Sequence, residues 1–205
     1  MIFFSPDHRR FALWCLAVLI VSLPPWWLWG ADAAASLLAP VARLVMTLFA
    51  LPGLSVVDGN WLVQTDLALA SGDGNLVYPV AKETVRRLLL AAPLFLAFMV
   101  APPRPARPVR AILLGLAILA LIFILSVIAY VWGELAPMLN PALATARSQT
   151  AVQLAAAPLH PAAAQAALLG RYIAMSVLPL LSAILLWALL NPQGRMALAP
   201  TILPE

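Results

Sequence analysis

The sequence predicts a mainly α, integral membrane fold: four transmembrane helices with a small extracytoplasmic insertion, a helix plus a β-hairpin, between helices 1 and 2. Apolar residue types make up 64% of the chain and charged types only 10%, against about 25% charged residues in ordinary globular proteins. The chain also contains four separate apolar stretches, each close to the roughly 20 residues that cross a hydrocarbon core of about 30 Å. These stretches are Phe11–Trp29, Val85–Ala101, Ala111–Gly133 and Leu168–Leu190.

The first apolar stretch follows a short basic segment and ends in the aromatic sequence Trp26-Trp27-Leu28-Trp29. It resembles a signal peptide, but it is longer than the apolar region of about 7–15 residues that such peptides contain. We therefore expect an uncleaved signal anchor. Cys15, the single cysteine, lies inside this stretch and is expected to be an apolar packing residue.

The predicted insertion, residues 31–84, combines a helical and a strand pattern. Apolar residues from Leu37 to Phe49 recur at helical spacing, which predicts a helix over 31–51 that lies on the outer leaflet or packs over the spans. Alternating residues over Trp61–Leu69, the turn sequence Ser71–Asn75 and a return strand at Leu76–Tyr78 predict a β-hairpin. An isolated hairpin is marginally stable in water, so it is either a lid on its own bundle or an edge that docks a partner.

The remaining segments complete the predicted bundle. Prolines in the sequence 102–108 forbid a continuous helix there, so spans two and three form a tight hairpin. A second outer loop is predicted over 134–167, with one short helix around Leu143–Ala157 that ends before Pro158. Span four then covers 168–190.

Basic residues indicate the orientation of the bundle. The segments 1–10, 102–110 and 191–205 contain six arginines, opposed only by Asp7 and Glu205. Because lysine and arginine in short loops favour the cytoplasmic side, the pattern predicts that both termini are cytoplasmic. The net charge of +4 therefore reflects membrane topology, and it does not indicate a nucleic-acid partner.

The residues that usually carry chemistry are sparse in this sequence. The two histidines, His8 and His160, both lie outside the predicted spans, and no acidic residue lies within the core of a span. A metal or haem site needs several converging ligands, and a coupled carrier normally has an ionisable group at membrane depth. We therefore expect no catalytic residue, metal or cofactor, and we expect that the protein is not an enzyme.

Charged residues cluster at the predicted outer boundary of the spans. Lys82, Glu83, Arg86 and Arg87 surround the start of span two, whereas Glu134 and Arg171 come to similar depth on spans three and four. We hypothesise an ion pair between Glu134 and Arg171 that fixes span register; the alternative is that both side chains extend to water or headgroups. The residues expected to contact a protein partner or membrane lipid are Trp61, Asp66, Arg86, Arg87, Glu134 and Arg171.

Several short motifs resemble a known family. Phe3-Phe4-Ser5-Pro6-Asp7 with Arg9-Arg10-Phe11 resembles the start of the exosortase H-associated membrane proteins. The end of the chain is similar as well, through Gly170-Arg171-Tyr172, Val177-Leu178-Pro179 and Leu185-Leu186-Trp187. The order of a helix-like segment and a hairpin before span two also matches this family.

The resemblance implies an accessory protein of a bacterial exosortase system, which processes envelope proteins that bear a C-terminal sorting signal. It implies a location in the bacterial inner membrane, and an exosortase-like enzyme or a sorted substrate as partner. The chain does not look like the exosortase itself, which relies on a cysteine with arginine partners. The alternative function is binding of a lipid or small molecule, for example as a transporter subunit, through an anionic group at Arg86, Arg87 and Arg171.

Overall fold

The computed structural model describes residues 6–69, 72, 74–140, 143, 154 and 157–198. Within this part of the chain, helices account for most of the residues. The helices are α1 (Pro6–Pro25), α2 (Ala31–Met46), α3 (Lys82–Leu88), α4 (Ala91–Val100), α5 (Pro108–Leu139), α6 (Pro161–Tyr172), α7 (Leu178–Leu190) and α8 (Pro192–Leu198). The strands are β1 (Gly53–Val57), β2 (Asn60–Ala68) and β3 (Asn75–Val80).

Three helices in the described part of the chain are long and apolar enough to cross a membrane. They cover Pro6–Phe49, Pro108–Leu139 and Pro161–Leu190, with 44, 32 and 30 residues. Predicted spans one, three and four each lie within one of these helices. The mainly helical, membrane-like character that the composition predicted is therefore confirmed.

The first long helix is continuous where the sequence predicted two separate helices. A π-helical turn, Trp26–Gly30, joins α1 to α2, and a 3₁₀ turn, Thr47–Phe49, extends α2. The helix predicted over 31–51 is therefore present, as α2 and its 3₁₀ extension, but it is not separate from α1. Pro24 and Pro25 remove two backbone donors, and the wider turn that follows them allows the chain to stay helical.

The second predicted span, 85–101, is not one continuous helix. It is formed by α3 and α4, which are separated by a turn at Leu89 and Leu90. Pro93 has no amide hydrogen to donate to the carbonyl of Leu89, and its ring would crowd that carbonyl in a straight helix. The amide of Ala92 donates to this carbonyl over a shorter, three-residue interval instead, at 3.2 Å.

The predicted β-hairpin is present as part of a three-stranded antiparallel sheet in the order β1-β2-β3. The sequence analysis missed β1, which pairs with β2 through the turn Asp58-Gly59. Both turn residues have positive φ, 52° and 81°, the backbone conformation that a two-residue hairpin favours and that Asp-Gly adopts readily. The alternating apolar residues of β2 explain why one face of the sheet is buried.

Two helices extend into the segment 134–167, which the sequence predicted as the second outer loop. Helix α5 continues to Leu139, whose side chain is buried with Leu135 in the core below the sheet. Helix α6 begins at Pro161, a favoured first position, and the Nδ1 atom of His160 accepts a hydrogen bond from the amide of Ala162 at 3.3 Å. The helix predicted over 143–157 lies outside the described residues, apart from positions 143, 154 and 157.

Two apolar clusters hold the elements together. The larger cluster packs α2, α3 and α5 against the inner face of the sheet, around Trp61 and Val63. The smaller one joins α4, α5 and α7 around Phe95 and Leu186. The hairpin is therefore packed on its own bundle through one face.

The charged groups described below gather at two opposite ends of this bundle. The sheet end comprises the sheet, α3 and residues 131–139 of α5. The proline-loop end comprises residues 102–107, the start of α1 and the corner between α7 and α8. Asn191 links two of its parts, since its Nδ2 atom donates to the carbonyl of Pro103 at 2.7 Å.

Candidate functional site

A cluster around Asp32 joins the long first helix to α3 at the sheet end. The guanidinium of Arg86 donates two hydrogen bonds to the Asp32 carboxylate, from Nε to Oδ1 and from Nη2 to Oδ2, both at 2.9 Å. The ammonium of Lys82 lies 2.8 Å from Oδ2. Two parallel bonds from one guanidinium define the orientation of both side chains, which a single contact does not.

Neighbouring residues hold the two cations of the Asp32 cluster in place. The Oδ1 atom of Asn60 accepts a hydrogen bond from the amide of Lys82 at 2.9 Å, and this bond connects the start of α3 to β2. The guanidinium of Arg86 also lies 5.7 Å from the centroid of the Trp27 ring, within the range of a cation–π contact. The side chain of Arg86 is 15% exposed and that of Asp32 is 32% exposed, so the pair is partly buried at the surface of the protein.

A second cluster joins α5 to α6. The Nη2 atom of Arg171 lies 2.9 Å from Oε1 of Glu134, which confirms the ion pair expected from antiparallel neighbouring spans. The guanidinium also lies 5.9 Å and 5.7 Å from the ring centroids of Tyr130 and Tyr172. Gly133 permits this approach, because a Cβ atom there would collide with Cβ of Arg171 and lie 2.8 Å from the carbonyl oxygen of Ala167.

Tyr78 of the sheet belongs to the same second cluster. Burial, followed by the nearby Glu134 carboxylate, raises the pKa of Tyr78 well above its usual value. Like an ordinary tyrosine, the phenol is protonated at neutral pH and can donate a hydrogen bond. The cluster consequently connects the sheet, α5 and α6 through polar side chains.

The structure gives the predicted contact residues different environments. Trp61 is fully buried, with its ring 5.4 Å from that of Phe123 in an edge-to-face arrangement, so its side chain is not part of the surface. Arg86 and Arg171 are engaged by Asp32 and Glu134. Asp66 on β2 and Arg87 on α3 are exposed. These two side chains are the predicted contact residues most accessible to a partner.

The sequence analysis missed Asp32, which organises the first cluster. The argument that predicted the pair of Glu134 and Arg171 applies to Asp32 as well. An acidic residue that follows one span and basic residues that precede the next span lie at similar depth when the two helices are antiparallel. Asp32 was missed because residue 31 onwards was assigned to the insertion and not to the end of span one.

An apolar cavity of about 260 Å³ lies beside the break between α3 and α4. Trp26 and Leu38 line one wall, and Leu89, Ala92 and Phe123 line others. Ligand sites usually add a few converging polar groups to such a lining, and these lining side chains provide almost none. Among the described residues, no group of three or more histidine, cysteine or acidic side chains is placed to hold a metal ion.

The fold and the site define a membrane protein with long apolar helices, a small sheet and charged residues that connect them. The family described as exosortase H-associated membrane protein matches residues 5–194. The chain belongs to this family. No curated protein and no solved structure gave a significant match to the chain.

Proposed function

We propose that the protein is a non-enzymatic accessory subunit of an exosortase-type system that sorts envelope proteins in a bacterial inner membrane. The family match over residues 5–194 carries this proposal, because the description names an association with an exosortase. The partner is then the membrane-bound sorting enzyme or one of its substrates. The composition of the sequence and the three long apolar helices support the location in a membrane.

In this proposal α3 and α4 together form a fourth span. Helix α4 lies alongside the first helix, where the Sγ atom of Cys15 is 3.8 Å from the carbonyl oxygen of Ala97. It also packs against α5, because Gly115 leaves room for the ring of Phe95. With four crossings, both termini are cytoplasmic and the sheet end is extracytoplasmic, as the distribution of arginine favours.

The sheet end is the proposed contact surface for the enzyme or its substrate. The buried face of the sheet is fixed to the bundle, whereas Gln64, Asp66 and Val77 are exposed. The Asp32 cluster holds α3 so that the exposed Arg87 lies on a defined element. A rigid surface of this kind loses little conformational entropy when it binds a partner.

Affinity purification of the full-length protein from its native membrane tests the proposal. We expect the exosortase or its substrates to be enriched with the unchanged chain. The double variant Asp66→Arg and Arg87→Glu reverses two exposed charges without touching the ion pairs, and it should reduce recovery about tenfold, equivalent to about 1.4 kcal/mol. Asp7→Arg with Arg9→Glu is the matched control: it exchanges one exposed acid and one exposed base at the opposite end, leaves the number of basic residues there unchanged, and should recover the partner normally.

Two results would count against this function. If neither an exosortase nor a sorted protein is enriched with the unchanged chain, the accessory role is wrong. If both double variants recover the partner equally well, the partner is bound elsewhere than at the sheet end.

The alternative, capture of an anionic ligand by Arg86, Arg87 and Arg171, has less support. Asp32 neutralises Arg86, and Glu134 neutralises Arg171, both at 2.9 Å. An added anion would have to compete with these carboxylates. Of the three arginines, Arg87 is the exposed one, and one guanidinium on a surface is a weak basis for a selective site.

A further inference from the structure

A groove at the proline-loop end combines basic and apolar side chains. It has a volume of about 420 Å³ and lies between the start of α5 and the corner where α7 meets α8. Arg107 and Arg110 line the groove, together with Leu114, Leu190 and Gln193 among others. The groove is far along α5 from Glu134 and is not part of either charged cluster at the sheet end.

The walls of this groove are held in a defined position. Asn191 is fully buried and donates from Nδ2 to the carbonyl of Pro103, while its Oδ1 atom accepts a hydrogen bond from the amide of Gly194 at 3.0 Å. One side chain therefore joins the proline-rich loop to the corner between α7 and α8. The prolines of the loop restrict its backbone further.

The charge of the groove favours an anion. Arg107 and Arg110 are both exposed, and neither takes part in the ion pairs of the described residues. Within the described part of the proline-loop end, Asp7 is the single acid, and it lies beside a separate hollow with Arg10 and Pro102. The first turn of α5 adds the partial positive charge of a helix N-terminus.

The apolar side of the groove continues along the surface of α5. Leu113 and Leu114 are 64% and 49% exposed, and an adjoining hollow is lined by Arg107, Arg110 and these two leucines. A ligand that fits this surface has an anionic group at one end and a hydrocarbon chain at the other. Acidic peptides match the charge, but they do not match the leucine surface that extends into the predicted membrane.

We propose that this groove binds one anionic phospholipid, with its phosphate between Arg107 and Arg110 and an acyl chain along Leu114 and Leu190. Guanidinium groups bind phosphate oxygens with two parallel hydrogen bonds, and basic pockets between membrane helices are typical sites for anionic headgroups.

Native mass spectrometry of the full chain tests this site, with phosphatidylglycerol as the probe and phosphatidylcholine as the neutral comparison. We expect the chain to retain phosphatidylglycerol preferentially. Arg107→Gln with Arg110→Gln should lower that retention by about tenfold, because both phosphate contacts are lost. Arg9→Gln with Arg10→Gln removes the same charge from the same end and should retain the lipid.

Two further measurements in the same experiment identify which part of the lipid the groove recognises. Leu114→Asn should weaken retention while the arginines remain, and inorganic phosphate should displace little of the bound lipid. Thermal unfolding of each variant in detergent checks that it is folded. Equal loss of lipid in the two arginine double variants would overturn the proposal, because it would indicate general attraction to a basic surface. Equal retention of phosphatidylcholine, or competition by an acidic peptide but not by lipid, would overturn it as well.

Discussion

At the scale of single residues, the Asp32 carboxylate connects two parts of the chain that lie 54 residues apart. It accepts two hydrogen bonds from Arg86 and contacts Lys82. Isolated ion pairs on a surface stabilise proteins little. The pair of Asp32 and Arg86 differs from them because it is bidentate and because the Arg86 side chain is only 15% exposed. Loss of the carboxylate would leave two neighbouring cations without their common partner.

We predict that Asp32→Asn lowers the free energy of unfolding by about 1 kcal/mol, the upper end of the range for partly exposed ion pairs, because Arg86 and Lys82 both lose their carboxylate partner. Thermal or denaturant unfolding in detergent measures this change. Asp66→Asn removes the same charge from an exposed position and should change stability by less than about 0.5 kcal/mol. An equal effect of the two substitutions would show that net charge, and not the Asp32 cluster, determines the result.

Gly133 provides a second prediction at this scale. A Cβ atom there would collide with Arg171 and crowd the carbonyl of Ala167, so Gly133→Ala should separate α5 from α6 and destabilise the protein by about 1–3 kcal/mol. Gly170→Ala is the matched control, because its Cβ atom would lie 3.7 Å from Cβ of Ala129, an ordinary contact. If thermal unfolding ranks Gly170→Ala as the more damaging change, the proposed close packing at Gly133 is wrong.

At the scale of elements, the turn between β1 and β2 supports the position of α3. Gly59 has a φ of 81°, and a Cβ atom there would lie 2.8 Å from Cδ of Lys82. Gly59→Ala therefore introduces backbone strain of about 1–2 kcal/mol and also displaces Lys82. Gly72 has the same φ, but an added Cβ atom there would have no described atom within 4 Å. Gly72→Ala therefore measures the cost of the backbone strain alone.

We predict that Gly59→Ala destabilises the protein more than Gly72→Ala does. Unfolding in detergent provides the comparison, and hydrogen exchange over β2 and α3 shows where protection is lost. Similar protection of α3 in the two variants would contradict the role of this turn in positioning Lys82.

At the scale of the whole molecule, successive helical segments run in opposite directions. Asp32 meets Arg86 at one end, whereas Phe11 lies 6.2 Å from Phe98, between ring centroids, towards the other. The first helix and the segment formed by α3 and α4 are therefore antiparallel. This arrangement is what a fourth crossing by that segment requires, although the segment is broken after Leu88.

Cysteine labelling in intact cells tests the fourth crossing. Cys15 is buried, so new cysteines can be placed at the exposed positions Asp66 and Ala106. With four crossings, a membrane-impermeant thiol reagent should label position 66 from outside and position 106 only after permeabilisation. Labelling of both positions in intact cells would show that residues 82–100 do not cross.

The sequence predicted features that depend on composition and on simple antiparallel geometry. Long apolar runs marked three helices, alternation in β2 marked the sheet, and adjacent charged helix ends predicted the pair of Glu134 and Arg171. The errors concern helix ends near prolines, because the effect of a proline on a helix depends on the backbone around it. Span one was predicted to end at Trp29, but a π-helical turn after Pro24 and Pro25 keeps that helix continuous. Pro93, in contrast, interrupts a stretch that composition alone treats as one helix.

Tertiary contacts explain what the sequence could not distinguish at the sheet end. Trp61 and Asp66 both lie on β2 and both belonged to the predicted contact surface. Packing against Phe123 buries Trp61, while Asp66 remains exposed. The alternating pattern within β2 predicts that the strand has two different faces. It does not predict which face packs against α5, because that depends on residues far away in the sequence.

Site-specific crosslinking in the native membrane tests the proposed accessory role most directly. A photoreactive amino acid would replace the exposed Asp66 in one variant and the exposed Val109, at the start of α5, in another. The account predicts that position 66 forms an adduct with the exosortase or its substrate and that position 109 does not. An adduct at position 109 alone, or none at either position while both variants are folded in the membrane, would contradict it.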